Sequence, residues 1–253
     1  MANYLLRISF DGLCFQGTQI QPDDRQTIQG VFQRLLSKLF ATEIKIRCSS
    51  RLDRGVSARD FCFSFRVDSR ITPDRILYYL NSQIGKSIRV NSIEKVGDDF
   101  DARATPHRKT YLYTIDCGIF DPVLDSHCGV VNHRLDLNLF MRTMNIFIGQ
   151  HDFKSFASLD SKGDREQNFI SIIDRIHITA RRGGKIIETR ITGRAFHRYQ
   201  VRMMIGAAIG VASGREKLDE VESRLVNPNI DARKYKAPAE GLCLIRTTYR
   251  RGR

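Results

Sequence analysis

The chain has 253 residues, 42% of them apolar, and a formal charge of +13 from 41 Lys and Arg against 28 Asp and Glu. That apolar share excludes a disordered polyelectrolyte and allows one large domain or two smaller ones. The longest apolar stretch, Met203–Ser213, falls short of the ~20 residues a bilayer span requires, and the basic balance (30 Arg, 11 Lys) points to a folded surface that meets polyanions.

Asn3–Phe10 alternates and is rich in β-formers, which predicts a strand closed by the turn pair Asp11-Gly12. Thr27 is placed to cap a helix in which Ile28, Val31, Leu35 and Leu39 recur at helical spacing. Ile44–Cys48 reads as a strand. Asp60–Val67 sets Phe61, Phe63, Phe65 and Val67 on one face, predicting a half-buried strand. Thr72-Pro73 opens a second helix with proline at its favoured first position, and Ile88–Val96 is a further strand. In the second half, Lys109–Asp116 reads as a strand and Leu137–Ile148 as a helix. Ile170–Ala180 and Lys185–Thr192 form a hairpin across Arg181-Arg182-Gly183-Gly184. Phe196–Gly214 reads as a helix, followed by a short amphipathic one near Leu218–Leu225, and Leu242–Tyr249 is a last strand. Gly206, Gly210 and Gly214 lie four apart and predict a smooth helix face against a sheet. The elements mix without regular βαβ alternation, so the expected class is α+β with antiparallel sheet. A division near Thr105-Pro106 leaves two halves of comparable makeup, 1–105 and 106–253.

Met1-Ala2-Asn3-Tyr4 runs directly into the first strand pattern rather than into a signal peptide. Cys14, Cys48, Cys62, Cys117, Cys128 and Cys243 form no Cys-x-x-Cys pair, so no zinc ribbon is expected; scattered thiols fit a reducing cytosol. His127, Cys128 and His133 lack the paired spacing of a metal site, and Walker, GxGxxG and GxSxG patterns are absent.

Three polar clusters carry candidate chemistry. Ser49–Ala58 lies between two predicted strands, with Asp53 flanked by Arg51 and Arg54. Neighbouring positive charge favours the carboxylate, which suits a nucleophile or base better than a general acid; a turn aspartate among solvated arginines is the plainer alternative. Arg103–Tyr113 brings Arg103, His107, Arg108 and Lys109 before Tyr111 and Tyr113, which share a strand face. The pair reads either as a platform for an unstacked base or as two core tyrosines. In Arg194–Arg202, Arg198 and Arg202 are four apart on the predicted helix, available to a phosphate, a buried carboxylate or solvent.

Taken in order, these segments resemble the tRNA pseudouridine synthase A family. Arg51-Leu52-Asp53-Arg54-Gly55-Val56-Ser57-Ala58 is similar to its R-T-D-x-G-V-H-A segment. Phe10-Asp11-Gly12 with Gly17-Thr18-Gln19, and Thr27-Ile28-Gln29-Gly30, resemble its Y-D-G…G-x-Q opening and T-V-Q-G helix start. Phe100–Arg103 and Lys109–Tyr113 resemble F-x-A-R and K-x-Y-x-Y. Gly149–Phe156, Phe196–Arg202 and Ala237–Leu242 are similar to G-x-H-D-F-x-S-F, F-x-x-x-M-V-R and A-P-A-x-G-L. Leu52 stands where Thr is usual, Ser57 where His is usual, and Thr18 where an aromatic is usual. Gln200 occupies the Met position, and Ser171-Ile172-Ile173 lies where R-T-I is expected.

The resemblance implies the pseudouridine synthase fold: two α/β subdomains with mainly antiparallel sheet, flanking helices and a central active-site cleft. The first, 1–105, would carry the catalytic Asp loop; the second, 106–253, the base-stacking tyrosine and the arginine helix. It implies isomerisation of uridine to pseudouridine in structured RNA, in tRNA at anticodon-arm positions 38–40, in the cytoplasm, by a homodimer, with no cofactor and no metal. Asp53 matches the catalytic aspartate, Tyr111 the tyrosine that stacks on the target base, Arg202 the arginine paired with the aspartate, and Arg51 the arginine that holds the nucleotide flipped out. Arg54, Arg108, Lys109, Arg181, Arg182 and Arg198 are candidates to track the RNA backbone. The departures leave two alternatives: a paralogue modifying another RNA such as rRNA, and an RNA-binding protein that has lost catalysis. A duplex-DNA reader using 196–214 is disfavoured, because that segment turns apolar after Arg202.

Overall fold

A computed structural model describes residues 1–21, 26–118, 121, 126–159, 168–232 and 235–250. In chain order its elements are β1 (Ala2–Phe10), α1 (Ile28–Phe40), β2 (Ile46–Cys48), β3 (Ser57–Val67), α2 (Pro73–Gln83), β4 (Ile88–Val96), β5 (His107–Asp116), β6 (Gly129–Val130) and α3 (Leu137–Asn145). These are followed by β7 (Gly149–Asp152), β8 (Ile170–Arg181), β9 (Ile186–Gly193), α4 (Gln200–Ala212), α5 (Leu218–Val226) and β10 (Leu242–Tyr249). The class is α+β, and among the described residues no helix is long and apolar enough to cross a membrane. The chain forms two compact units, Met1–His107 with Cys243–Arg253, and Arg108–Leu242. The last strand therefore returns to the first unit.

The first unit is a sheet in the order β4-β1-β3-β10, with β2 also on β3. β1 runs antiparallel to β3 and β4, and β10 joins β3 in parallel, Cys243 opposite Ser57. On one face, Tyr4 stacks on Phe65 at 5.3 Å and Phe32 of α1 meets Phe63 at 4.9 Å. Thr27 caps α1 as expected, its side chain accepting the Gly30 N–H. The sequence predicts solvent on the other face of β3, and the structure corrects this. Cys62 packs there with Leu5 and Ala102, under Val96, Phe100 and Tyr249. Ser64 Oγ accepts the Ala102 N–H at 3.0 Å, and Asn3 donates to the Gly97 and Phe100 carbonyls, so these buried polar side chains are satisfied. Burial pushes the Cys62 thiol up to about 12. Arg7 Nη1 lies 2.8 Å from the Asp60 carboxylate, and Asp60 also accepts the Thr247 N–H at 2.8 Å, which ties β1, β3 and β10 together.

The second unit is an antiparallel sheet in the order β5-β9-β8-β7, with β6 on β5. The hairpin β8–β9 turns through Arg182–Gly184, where all three residues take positive φ angles, two of them glycines. Tyr111, Tyr113 and Ile115 share the buried face of β5, opposite Ile191, Thr189 and Ile187 of β9. α4 is buried along its whole length and packs against α3.

Two expectations about α4 change. It begins at Gln200, four residues later than the apolar pattern of Phe196–Gly214 predicts, because Tyr199 holds a left-handed conformation with φ 63°. Arg198 precedes the helix and does not share a face with Arg202. Gly206 makes room for backbone, as predicted, but for the backbone of Tyr235–Ala237 rather than a sheet. Gly214 lies beyond the helix end, at φ 72°.

Candidate active site

Asp53 sits in the first unit, on the connection from β2 to β3, partly exposed, between exposed Arg51 and Arg54. The loop is held from both ends by the segment after β1. At its start, the Leu52 N–H donates to Thr18 Oγ1 at 2.9 Å, and the Thr18 N–H donates back to the Leu52 carbonyl at 3.1 Å. At its end, the Gly12 N–H donates to Ser57 Oγ at 3.0 Å, and the Gly55 N–H donates to the Gly12 carbonyl at 3.2 Å. Gly55 turns the chain with φ 84°, and the Val56 N–H closes that turn on the Asp53 carbonyl. A side chain on Gly12 would overlap the Val56 carbonyl group, and one on Gly17 would reach to 2.9 Å from the Leu52 carbonyl oxygen. Two glycines and two hydroxyls thus hold the backbone on either side of Asp53.

Three departures from the resembling family's pattern meet in this arrangement. Thr18 and Leu52 touch each other: the hydroxyl is on residue 18 and the apolar side chain, 7% exposed, is on residue 52. Ser57 keeps a polar atom on the Gly12 amide. Thr18→Val leaves the buried Leu52 amide without its side-chain acceptor. It should lower stability by about 1–3 kcal/mol in urea unfolding, and Thr18→Ser should recover most of that.

In the second unit, Tyr111 is 5% exposed, with its ring edge-on to Phe196 at 5.0 Å. Tyr113 resolves as a core residue. Its hydroxyl donates to the Pro238 carbonyl at 2.9 Å, the absent side chains of Gly129 and Gly241 make room for it, and burial pushes its phenol pKa upward. Arg202, 8% exposed, donates from Nε to the Ala237 carbonyl at 2.8 Å, and its guanidinium lies 5.5 Å from the centre of the Tyr199 ring. The stretch from Phe196 to Arg202 therefore places one aromatic on Tyr111 and another beside Arg202. Within each unit the expected residues are gathered: Arg51, Asp53 and Arg54 on one loop, Tyr111 and Arg202 around the segment that enters α4.

The backbone-tracking candidates differ in surroundings. Arg54, Arg182 and Arg198 are exposed. Arg108 pairs with Asp174 at 2.9 Å, and Arg181 with Glu188 at 3.2 Å. Exposed pairs of this kind are worth ~0–1 kcal/mol, so a phosphate can replace the carboxylate at little cost. Lys109 lies partly buried on β5. Among the described residues no group of three or more His, Cys, Asp or Glu side chains is disposed to hold a metal ion.

In the sequence Thr18 and Ser57 stand out only as departures, Tyr199 only as a member of the Arg194–Arg202 cluster, and Lys236 not at all. Lys236 Nζ lies 4.0 Å from the centre of the Tyr199 ring. Nothing local in the sequence connects residues 199 and 236; the bond from the Ala237 N–H to the Arg202 carbonyl, 3.0 Å long, does so in space.

Comparison with known proteins shows the family. A profile of the tRNA pseudouridine synthase family matches residues 144–250. A tRNA pseudouridine synthase A from Malacoplasma penetrans is 35% identical over 97% of this chain and 99% of its own length. One from Mycoplasmoides gallisepticum is 32% identical over 98% of this chain and 91% of its own. One from Aquifex aeolicus is 30% identical over 96% of this chain and 98% of its own.

Proposed function

Because the chain belongs to the tRNA pseudouridine synthase A family and is a pseudouridine synthase, we propose that it acts on uridines of the tRNA anticodon arm, at positions 38–40, with Asp53 as the catalytic carboxylate. The reaction is an isomerisation. The bond from ribose C1′ to uracil N1 breaks, the base turns, C1′ bonds to C5, and the C5 proton is given up as N1 gains one. Atoms and electrons balance within the nucleotide. A stacked base has no room to turn about its ribose, so the nucleotide must leave the helix first.

The observation that carries the assignment is the seating of the Asp53 loop. Its backbone is fixed at Leu52 by Thr18 and at Gly55–Ser57 by Gly12, so the carboxylate is presented from a held turn. A preset geometry is what acid–base or nucleophilic work on a flipped nucleotide needs. In this reading Arg51 holds the flipped nucleotide, Tyr111 stacks on its base, and Arg202 serves the aspartate, as the resemblance assigns them. The molecule works in the cytoplasm as a homodimer. The test is to incubate purified protein with unmodified tRNA transcripts and map pseudouridine chemically. Modification confined to 38–40 supports the proposal. Modification of rRNA alone, or tight binding without any modification, overturns it.

The cations give the RNA affinity a defined salt dependence. If Arg54, Arg108, Lys109, Arg181, Arg182 and Arg198 meet ~6 duplex phosphates, log affinity for tRNA should fall against log salt with a slope near −5, measured by filter binding. The single-turnover rate at saturating tRNA should depend on salt far less.

A further inference from the structure

We propose that Arg198, Tyr199 and Lys236 form a binding subsite for one RNA phosphate at the entrance to α4, an inference that rests on the chain acting on RNA. Around the single ring of Tyr199 stand Lys236 Nζ at 4.0 Å, the Arg198 guanidinium at 4.8 Å and the Arg202 guanidinium at 5.5 Å, each measured to the ring centre. Arg198 also donates from Nη2 to the Tyr199 hydroxyl at 3.0 Å. Arg198 and Lys236 are exposed, while the ring they share is partly buried.

Such an arrangement works against itself unless an anion joins it. Like charges repel, and the face of a tyrosine returns only ~0.5–1 kcal/mol per cation at an exposed site. Among the described residues, neither Arg198 nor Lys236 has a carboxylate within salt-bridge distance, although other exposed arginines of this unit do, as Arg108 has Asp174. Solvation alone would let two exposed, flexible cations diverge.

They are held by backbone instead. The Ala237 N–H donates to the Arg202 carbonyl at 3.0 Å, and Arg202 Nε donates to the Ala237 carbonyl at 2.8 Å, so the segment bearing Lys236 is strapped to the first turn of α4. Gly206 lets the Tyr235 carbonyl lie directly on that helix. On the other side, the Arg198 carbonyl accepts the Ser158 N–H at 3.0 Å. Tyr199 takes its left-handed φ of 63° without glycine's freedom, a backbone state that the surrounding structure must hold.

The ligand this fits is a phosphodiester: a compact anion with several acceptor oxygens, able to take the Arg198 fork and the Lys236 ammonium together. The Tyr199 ring is then a contact shared by the cations, rather than a surface on which a base stacks. Because Arg202 shares the ring, a phosphate here would lie beside the arginine that the resemblance pairs with the aspartate.

The test compares tRNA binding by Lys236→Ala, Arg198→Ala, Tyr199→Leu and, as a control for net charge, Lys95→Ala on β4. Lys236→Ala and Arg198→Ala should each weaken Kd about five- to tenfold, the size of one lost charge-assisted contact. Each should also make the salt slope shallower by ~0.7–0.9. Lys236→Arg should restore both, and Tyr199→Leu should weaken binding without altering the unfolding midpoint enough to explain it. Lys95→Ala should leave the slope unchanged. The loss should fall on Kd rather than on the single-turnover rate at saturating tRNA. If Lys236→Ala and Arg198→Ala bind tRNA with wild-type Kd and slope, or if Lys95→Ala changes the slope as much as they do, the subsite is refuted. Wild-type protein that binds tRNA but forms no pseudouridine would refute the enzyme reading alone, since the Kd comparison does not depend on turnover.

Discussion

Asp53→Asn should lower the single-turnover rate of pseudouridine formation by at least ~10³-fold, within the range that a positioned acid, base or nucleophile contributes. The change is nearly isosteric and removes only the negative charge. The hydrogen bonds that seat the loop come from Thr18, Gly12, Ser57 and the Asp53 carbonyl, so the substitution leaves them in place. The loss should appear in the chemical step and exceed whatever any change in stability explains. The measurement is rapid-quench pseudouridine formation at saturating tRNA, with urea unfolding of the same preparation. A variant that modifies tRNA at the wild-type rate would remove Asp53 from the mechanism.

Gly12→Ala should lower the rate as well, by less and by a different route. An added methyl at Gly12 overlaps the backbone of Val56, where no rotamer change can relieve it. Either the segment after β1 or the Asp53 loop must move, and the bonds from Gly12 to Ser57 and Gly55 stretch with it. Overpacking of this kind costs about 1–3 kcal/mol. The functional loss should exceed what stability explains, because a displacement of ~1 Å in a catalytic group is worth about 10² in rate. Gly85→Ala is the control. Nothing lies within 4 Å of its added methyl, so stability and activity should stay near wild type. The decisive comparison is the rate of the folded fraction at a temperature well below both unfolding midpoints. If Gly12→Ala matches wild type there, the two-ended seating of the loop has no catalytic role.

Most of the elements could be read from periodicity, because it reports which side chains a strand or helix buries. Ile88–Val96 and Leu242–Tyr249 end where the pattern ends, and Thr27 caps α1 as its hydroxyl predicts. Errors arose where tertiary contacts act against the local pattern. Cys62 and Ser64 look like the wet side of β3, yet the segment around Ala102 covers them. Phe196 continues the apolar spacing of α4 backward, but the left-handed Tyr199 stops the helix, a backbone state that residue type does not announce. The Asp53 cluster was visible because its charges are contiguous. Its supports were not, since Thr18 and Leu52 are far apart in sequence and meet only after folding. For the same reason Lys236 gave no signal: its position depends on a strap between Ala237 and Arg202.

The return of β10 to the first unit has a consequence for biosynthesis. Ser57 and Ala58, where β3 leaves the Asp53 loop, take Cys243 and Leu244 as their parallel neighbours, and Thr247 engages Asp60 beside Arg7. The ribosome makes the rest of that unit by His107, but the strand that completes it comes only after the whole second unit has been translated. At ~5–20 residues per second the interval is about 7–27 s. During that time the nascent first unit carries an unfinished sheet edge beside the Asp53 loop, and edges of this kind recruit other strands. The order of synthesis therefore sets a window in which the newborn chain is most exposed to mispairing, and the window closes when the last strand docks.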